Sequence, residues 1–152
     1  MGTDSWREIV AMVPKDILIC SHPHHSTWLD GVFYWVAANP HGRYIIVAFH
    51  MFNELFEHVF FPEDIKIDSL PCLCVLRDSL ALFTLDRYKL ETEWCLGIWV
   101  RDGNRVKDPW NKKYSFGPNL GCYLAFGLMR NGGLLLRGNH CWMVSYNLDT
   151  RI

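Results

Sequence analysis

No uncharged stretch in this chain reaches the ~20 residues that a bilayer-spanning helix requires. The longest, residues 31–42 and 114–129, are also interrupted by Gly, Pro, Asn or His. The chain instead holds apolar runs of four to six residues, at 17–20, 44–49, 72–76 and 95–100, each stopped by polar or charged residues. Runs of that length bounded by turn signals read as buried strands. At 152 residues the chain is long enough to bury a core of its own, and a single domain over 1–152 is the expectation.

Half of the residues are apolar and a fifth are charged, with Lys+Arg 15 against Asp+Glu 16, so neither a disordered chain nor a polyanion binder fits. Nucleic acid is therefore excluded as an expected partner. Aromatic residues reach 14%, enough to expect an amphipathic surface for lipid or a partner as well as a core. Residues 1–8 are polar and charged, without the basic-then-apolar pattern of a secretory leader. Six cysteines (Cys20, Cys72, Cys74, Cys95, Cys122, Cys141) lie mostly within apolar runs and form no Cys-x-x-Cys pair, which reads as reduced core thiols. A cytoplasmic protein, or one on the cytoplasmic face of a membrane, is expected.

Between the strands, apolar residues recur with helical spacing. Leu29, Val32, Phe33 and Val36 fall at i, i+3, i+4 and i+7, with Ser26 or Thr27 as cap and Asn39-Pro40 as stop. Phe52, Leu55, Phe56, Val59 and Phe60 trace a second helical face ended by Pro62, and a third helix is expected from Leu80 to Leu90. A small-residue helix is predicted near 121–130, and the last strands at 134–136 and 142–146, with Gly132-Gly133 and Gly138-Asn139 as turns. Strands alternating with helices predict an α/β fold: a layered, largely parallel sheet with helices on both faces.

In such a sheet the active site lies on loops beyond the carboxyl ends of the strands. Three loops qualify, at 23–30, 77–79 and 101–105. Together they hold a histidine with an acid five positions on, and several arginines. Asp30 can fold back onto one nitrogen of His25, fixing its tautomer and leaving the other nitrogen to take a hydroxyl proton. Arg77 and Arg105 can each give a phosphate two parallel hydrogen bonds.

The segment Pro23-His24-His25-Ser26-Thr27-Trp28-Leu29-Asp30 resembles the His-x4-Asp block of the glycerophosphate/lysophosphatidic acid acyltransferase superfamily. Asn53-Glu54-Leu55-Phe56 falls where that family often carries Lys-x-Glu-Leu-Phe, and Cys74-Val75-Leu76-Arg77-Asp78-Ser79 is similar to its Pro-Val-x-Arg-Ser block. Arg101-Asp102-Gly103-Asn104-Arg105 looks like a drifted Pro-Glu-Gly-Thr-Arg block, with Arg101, Asp102 and Asn104 as departures. Trp110, Lys112 and the segment Gly121-Cys122-Tyr123-Leu124-Ala125 resemble a further stretch, so the likeness covers roughly residues 17–148. It implies acyl transfer from acyl-CoA or acyl carrier protein to the hydroxyl of a glycerol phosphate or lysophospholipid, at a membrane surface and without cofactor or metal. His25 would be the base and Asp30 its orienter, with Ser26, Arg77, Asp102, Gly103 and Arg105 shaping the acceptor site. By the Pro-His dipeptide, rather than by spacing, the base would be His24.

Two other readings stand beside this one. A non-catalytic lipid- or protein-binding relative keeps the groove without turnover. A metal-dependent hydrolase would place a divalent ion on two of His22, His24 and His25 with Asp30. For 101–105 the plain alternative is a tight hairpin turn at Asp102-Gly103.

Overall fold

The computed structural model describes residues 5–10, 16–19, 26–63, 65, 71–87, 94–103, 105, 107–117, 122–138 and 142–150, and none of these is helical. The first sheet contains β1 (Leu18–Ile19), β2 (Ser26–Leu29), β3 (Val32–Ala38), β4 (Tyr44–His50) and β5 (Leu55–Val59). Both β1 and β2 pair with β3, and β3, β4 and β5 follow as an antiparallel meander. The middle sheet is the meander of β6 (Cys72–Leu76), β7 (Ser79–Arg87), β8 (Trp94–Arg101) and β9 (Trp110–Phe116). The last is β10 (Cys122–Leu128), β11 (Gly133–Gly138) and β12 (Met143–Asn147).

The expected α/β sheet with helices on both faces is thereby overturned: every described strand pairing is antiparallel, and over the described residues the four expected helices are strands and turns, while 88–90 and 121 lie outside the described residues. The physical reason is clearest at Leu29, Val32, Phe33 and Val36. Asp30-Gly31, with φ of 48° and 79°, is the two-residue turn of a hairpin in which Leu29 pairs with Val32. Positive φ at both central positions matches the twist of the flanking strands, and Asp-Gly supplies it readily. The helical spacing was a coincidence of apolar residues on two strands. Residues 51–54 form a turn ahead of β5, 79–87 extend as β7, and 122–128 extend as β10. The strands expected at 44–49, 72–76, 95–100, 134–136 and 142–146 do form.

Antiparallel sheets normally bury one face, yet the middle sheet buries both. Leu73, Leu80, Leu82 and Trp99 pack against Leu29, Tyr34, Val36, Ile46, Ala48 and Val59 of the first sheet. From the opposite face, Cys72, Cys74, Leu76, Ala81, Phe83, Leu96 and Ile98 pack against Leu134, Leu136 and Leu148. Cross-strand pairs keep the two sets apart: Leu73 opposes Leu82, and Cys72 opposes Phe83. The first strands of successive meanders also adjoin, β2 to β6 and β6 to β10. Successive meanders are thus stacked face to face, with first strand beside first strand.

Leu82 is fully buried between the first two sheets, so Leu82→Ala is expected to destabilise the chain by ~2–5 kcal/mol in urea denaturation. Cys74 gives a second prediction. Burial, with the adjacent Cys72 thiol as a smaller contribution, pushes its pKa far above the ordinary thiol value. The folded thiol stays protonated where the unfolded one, at about 8.5, ionises. Stability fully present below that pH is therefore lost as pH rises above it. The melting temperature should fall between pH ~8.5 and ~10.5, and fall less steeply in Cys74→Val.

Candidate functional site

On the face of β8 that meets the first sheet, Gly97, Trp99 and Arg101 follow one another at every second position. Thr84 of β7 lies opposite Gly97, and Trp110 of β9 lies opposite Arg101. This stripe is polar where the core should be apolar. Thr84 is 2% and Arg101 1% exposed, and Thr84 Oγ1, Trp99 Nε1 and Arg101 Nε and Nη2 are buried without a hydrogen-bond partner. Glycine at 97 is a packing requirement. Thr84 Oγ1 lies 2.8 Å and Trp99 Nε1 3.3 Å from where a Cβ would stand. Lys112 places its ammonium 5.4 Å from the centre of the Trp99 ring, a cation–π contact.

Arg101 donates to the hydroxyl of Tyr34, a residue of β3 that is 3% exposed. Burial pushes the Tyr34 pKa above its ordinary value, the nearby Arg101 guanidinium opposes that rise, and the carboxylates of Asp30 and Glu57 add to it. Burial also lowers the Arg101 pKa, while Tyr34, Asp108 and Glu57 counteract the loss. A guanidinium starts so high that it stays charged at neutral pH.

Beside this buried cation opens a cleft of about 560 Å³ between the end of β5 and the start of β9. Phe60, Phe61, Trp99 and Trp110 form its walls, and Glu63, Lys107 and Asp108 also line it. The Trp110 indole N–H donates to the Phe60 carbonyl at 2.8 Å, joining the two sheets at this edge. Asp108 is held by the Arg105 backbone N–H, which donates to its Oδ2 at 2.7 Å.

A second hollow, of about 510 Å³, lies at the turn end of the first sheet, where Asp30, Gly31 and Val32 meet His50, Met51, Phe52 and Asn53. The two turns are tied through the main chain, Met51 N–H donating to the Gly31 carbonyl at 3.0 Å. Phe52 is wholly exposed, and Met51, Leu55 and Trp28 are about half exposed. His50 Nε2 sits 2.8 Å from Glu57 Oε2, and Arg7 hydrogen-bonds the Glu54 carboxylate.

The residues singled out in the sequence occupy separate turns and strands. His22, His24 and His25 lie outside the described residues. Ser26 opens β2 opposite Trp35, and Asp30 is the first residue of the β2–β3 turn. Arg77, with positive φ, is in the β6–β7 turn and donates from Nη2 to Asp149 at 2.9 Å. Asp102 accepts from the Asn111 amide, its N–H donates to the Pro109 carbonyl, and Gly103 and Arg105 follow in the same loop. The structure thus adds Tyr34, Trp99, Arg101 and Trp110 to the candidates. The alternation 97, 99, 101 along β8 was the signal for Arg101, since it carries the buried face one step past the apolar run.

Removal of the Tyr34 hydroxyl takes an acceptor from a buried guanidinium, and Tyr34→Phe is expected to destabilise the chain by ~1–3 kcal/mol. Adding Arg101→Met in that background should recover stability, because the unsatisfied cation is then gone. Urea denaturation of the single and double variants measures both effects. Among the described residues no group of three His, Cys, Asp or Glu side chains is placed to hold a metal ion, and no known family model, curated protein or solved structure matches the chain.

Proposed function

We propose that this chain is a non-enzymatic binding module that holds a protein partner on the ledge made by the β2–β3 and β4–β5 turns. The observation that supports it is Phe52: a large apolar side chain wholly in solvent, on a turn held by main-chain hydrogen bonds, beside exposed Met51 and Leu55. A rigid turn presenting an aromatic anchor loses little entropy on binding, and such anchors dominate interface energetics.

The charge around the ledge selects the partner. Asp30, Glu54 and Glu57 stand about it, with Arg7 bound to Glu54. Carboxylates around an apolar anchor favour a segment with an apolar residue flanked by Lys or Arg, and they oppose anionic lipid headgroups. Acyl transfer by His25 and Asp30 draws less support. It presumed strand-to-helix loops converging on one acceptor phosphate, whereas Arg77 is engaged with Asp149 and the Arg105 backbone closes its own loop.

Panning the chain against a displayed peptide library is expected to select segments with an apolar anchor between basic residues. Phe52→Asp should weaken the selected peptides by at least ~10-fold, while denaturation changes by less than ~0.5 kcal/mol because the side chain is exposed. Equal capture by Phe52→Asp, or saturable binding to anionic vesicles in place of peptide, would remove the ledge as the recognition surface.

A further inference from the structure

We propose that the cleft between the first and middle sheets is a second binding site, for a ligand that carries a carboxylate on an apolar body. The carboxylate is taken by Arg101, and the body lies among Phe60, Phe61 and Trp110. None of the residues lining the hollow beside Phe52 lines this cleft.

Arg101 shares its face of the middle sheet with Trp99 on its own strand and Trp110 directly opposite, the two tryptophans of the cleft wall. It is 1% exposed, and its Nε and Nη2 donors have no acceptor, as does Trp99 Nε1 next along the strand. Buried donors without acceptors destabilise a fold. Nε and one terminal nitrogen also form one edge of the guanidinium fork, the geometry that receives a carboxylate through two parallel bonds. Those donors are covered in the unliganded chain, so entry requires the wall to move. Phe60, with its ring seven-tenths exposed, is the wall residue with room to swing.

The same surroundings exclude other charges. A cation would meet Lys107 in the lining and the buried Arg101 behind it, and the Trp99 ring already carries Lys112. A doubly charged phosphate would meet Glu63 and Asp108 at the cleft. A single carboxylate meets the same two acids with half the charge of that phosphate, and Lys107 steers it. It can come from an acidic side chain of a peptide or from a free aromatic acid.

The test uses the full chain in calorimetric titration, with the indole N–H signals of Trp99 and Trp110 followed by NMR. The probes are the peptide acetyl-Gly-Phe-Glu-Phe-Gly-amide, its Gln counterpart, and benzoate. The Glu peptide or benzoate is expected to saturate and move both indole signals, and whichever binds identifies the source of the carboxylate. The Gln peptide should bind ~10–100-fold more weakly. Arg101→Lys keeps the charge without the fork and should lose a similar factor, and Arg101→Met should lose binding. If the Arg101 variants fail to fold, Phe60→Ala and Lys107→Ala on the surface of the cleft should still weaken binding. Measurable binding of the Glu and Gln peptides with equal affinity, no binding by either carboxylate probe, or undiminished binding in Phe60→Ala and Lys107→Ala overturns the proposal. A failure of the Phe52 ledge leaves these outcomes unaffected.

Discussion

The structure depends on the middle sheet being buried on both faces. Leu73, Leu80, Leu82 and Trp99 point one way and Cys72, Cys74, Phe83, Leu96 and Ile98 the other. β6 to β9 therefore hold the first and last sheets on either side. A short antiparallel meander exposes too much apolar surface to be stable alone. Stacking removes the surface that each sheet would otherwise leave to water. Side-chain alternation also sets the register. A slip of one residue in β7 would exchange Leu82 for Phe83 and mismatch both interfaces at once.

That double burial also explains what could and could not be read from the chain. Strands at 44–49, 72–76 and 95–100 were legible because they are short, apolar and bounded by polar residues. The helix expected at 80–90 fails over 80–87 for that reason: a strand covered on both sides loses its polar–apolar alternation, and a continuous apolar run carries no decisive period. β7, Ser-Leu-Ala-Leu-Phe-Thr-Leu-Asp-Arg, is such a run. Asp30-Gly31 was the local evidence against a helix at 29–36, because that pair is a strong hairpin signal between apolar residues. At Arg77-Asp78 the turn was less readable, since two residues without glycine adopt φ of 48° and 60° there.

The candidate site was less legible than the fold. Its residues, Tyr34, Trp99, Arg101 and Trp110, come from β3, β8 and β9, and only the stacking of two sheets brings them together. Spacing along the sequence carries no trace of such a juxtaposition. The sequence motif drew attention to Asp102, Gly103 and Arg105, whereas the buried arginine is the residue just before them. Composition did give one true hint: aromatic residues in excess of what a core requires end up on surfaces, at Phe52, Phe60 and Trp28.

A core position occupied by a cation with unused donors is a local departure from the packing rules that the rest of the middle sheet obeys. Leu82 and Ile98 show what those rules favour at neighbouring positions, namely fully buried aliphatic side chains. A methionine or leucine at 101 would fill comparable space without desolvating a charge. Departures of this kind concentrate where a protein binds or reacts, because selection for stability alone removes them. Arg101 also lies where the first and middle sheets meet, bonded to Tyr34 and flanked by the cleft. Occupancy of the cleft would therefore bear directly on the contact that joins the two sheets. Ligand binding to this folded arrangement would raise its stability by RT ln(1 + L/Kd), where L is the free ligand concentration, so the cleft, when filled, would offset part of what the buried cation costs the fold.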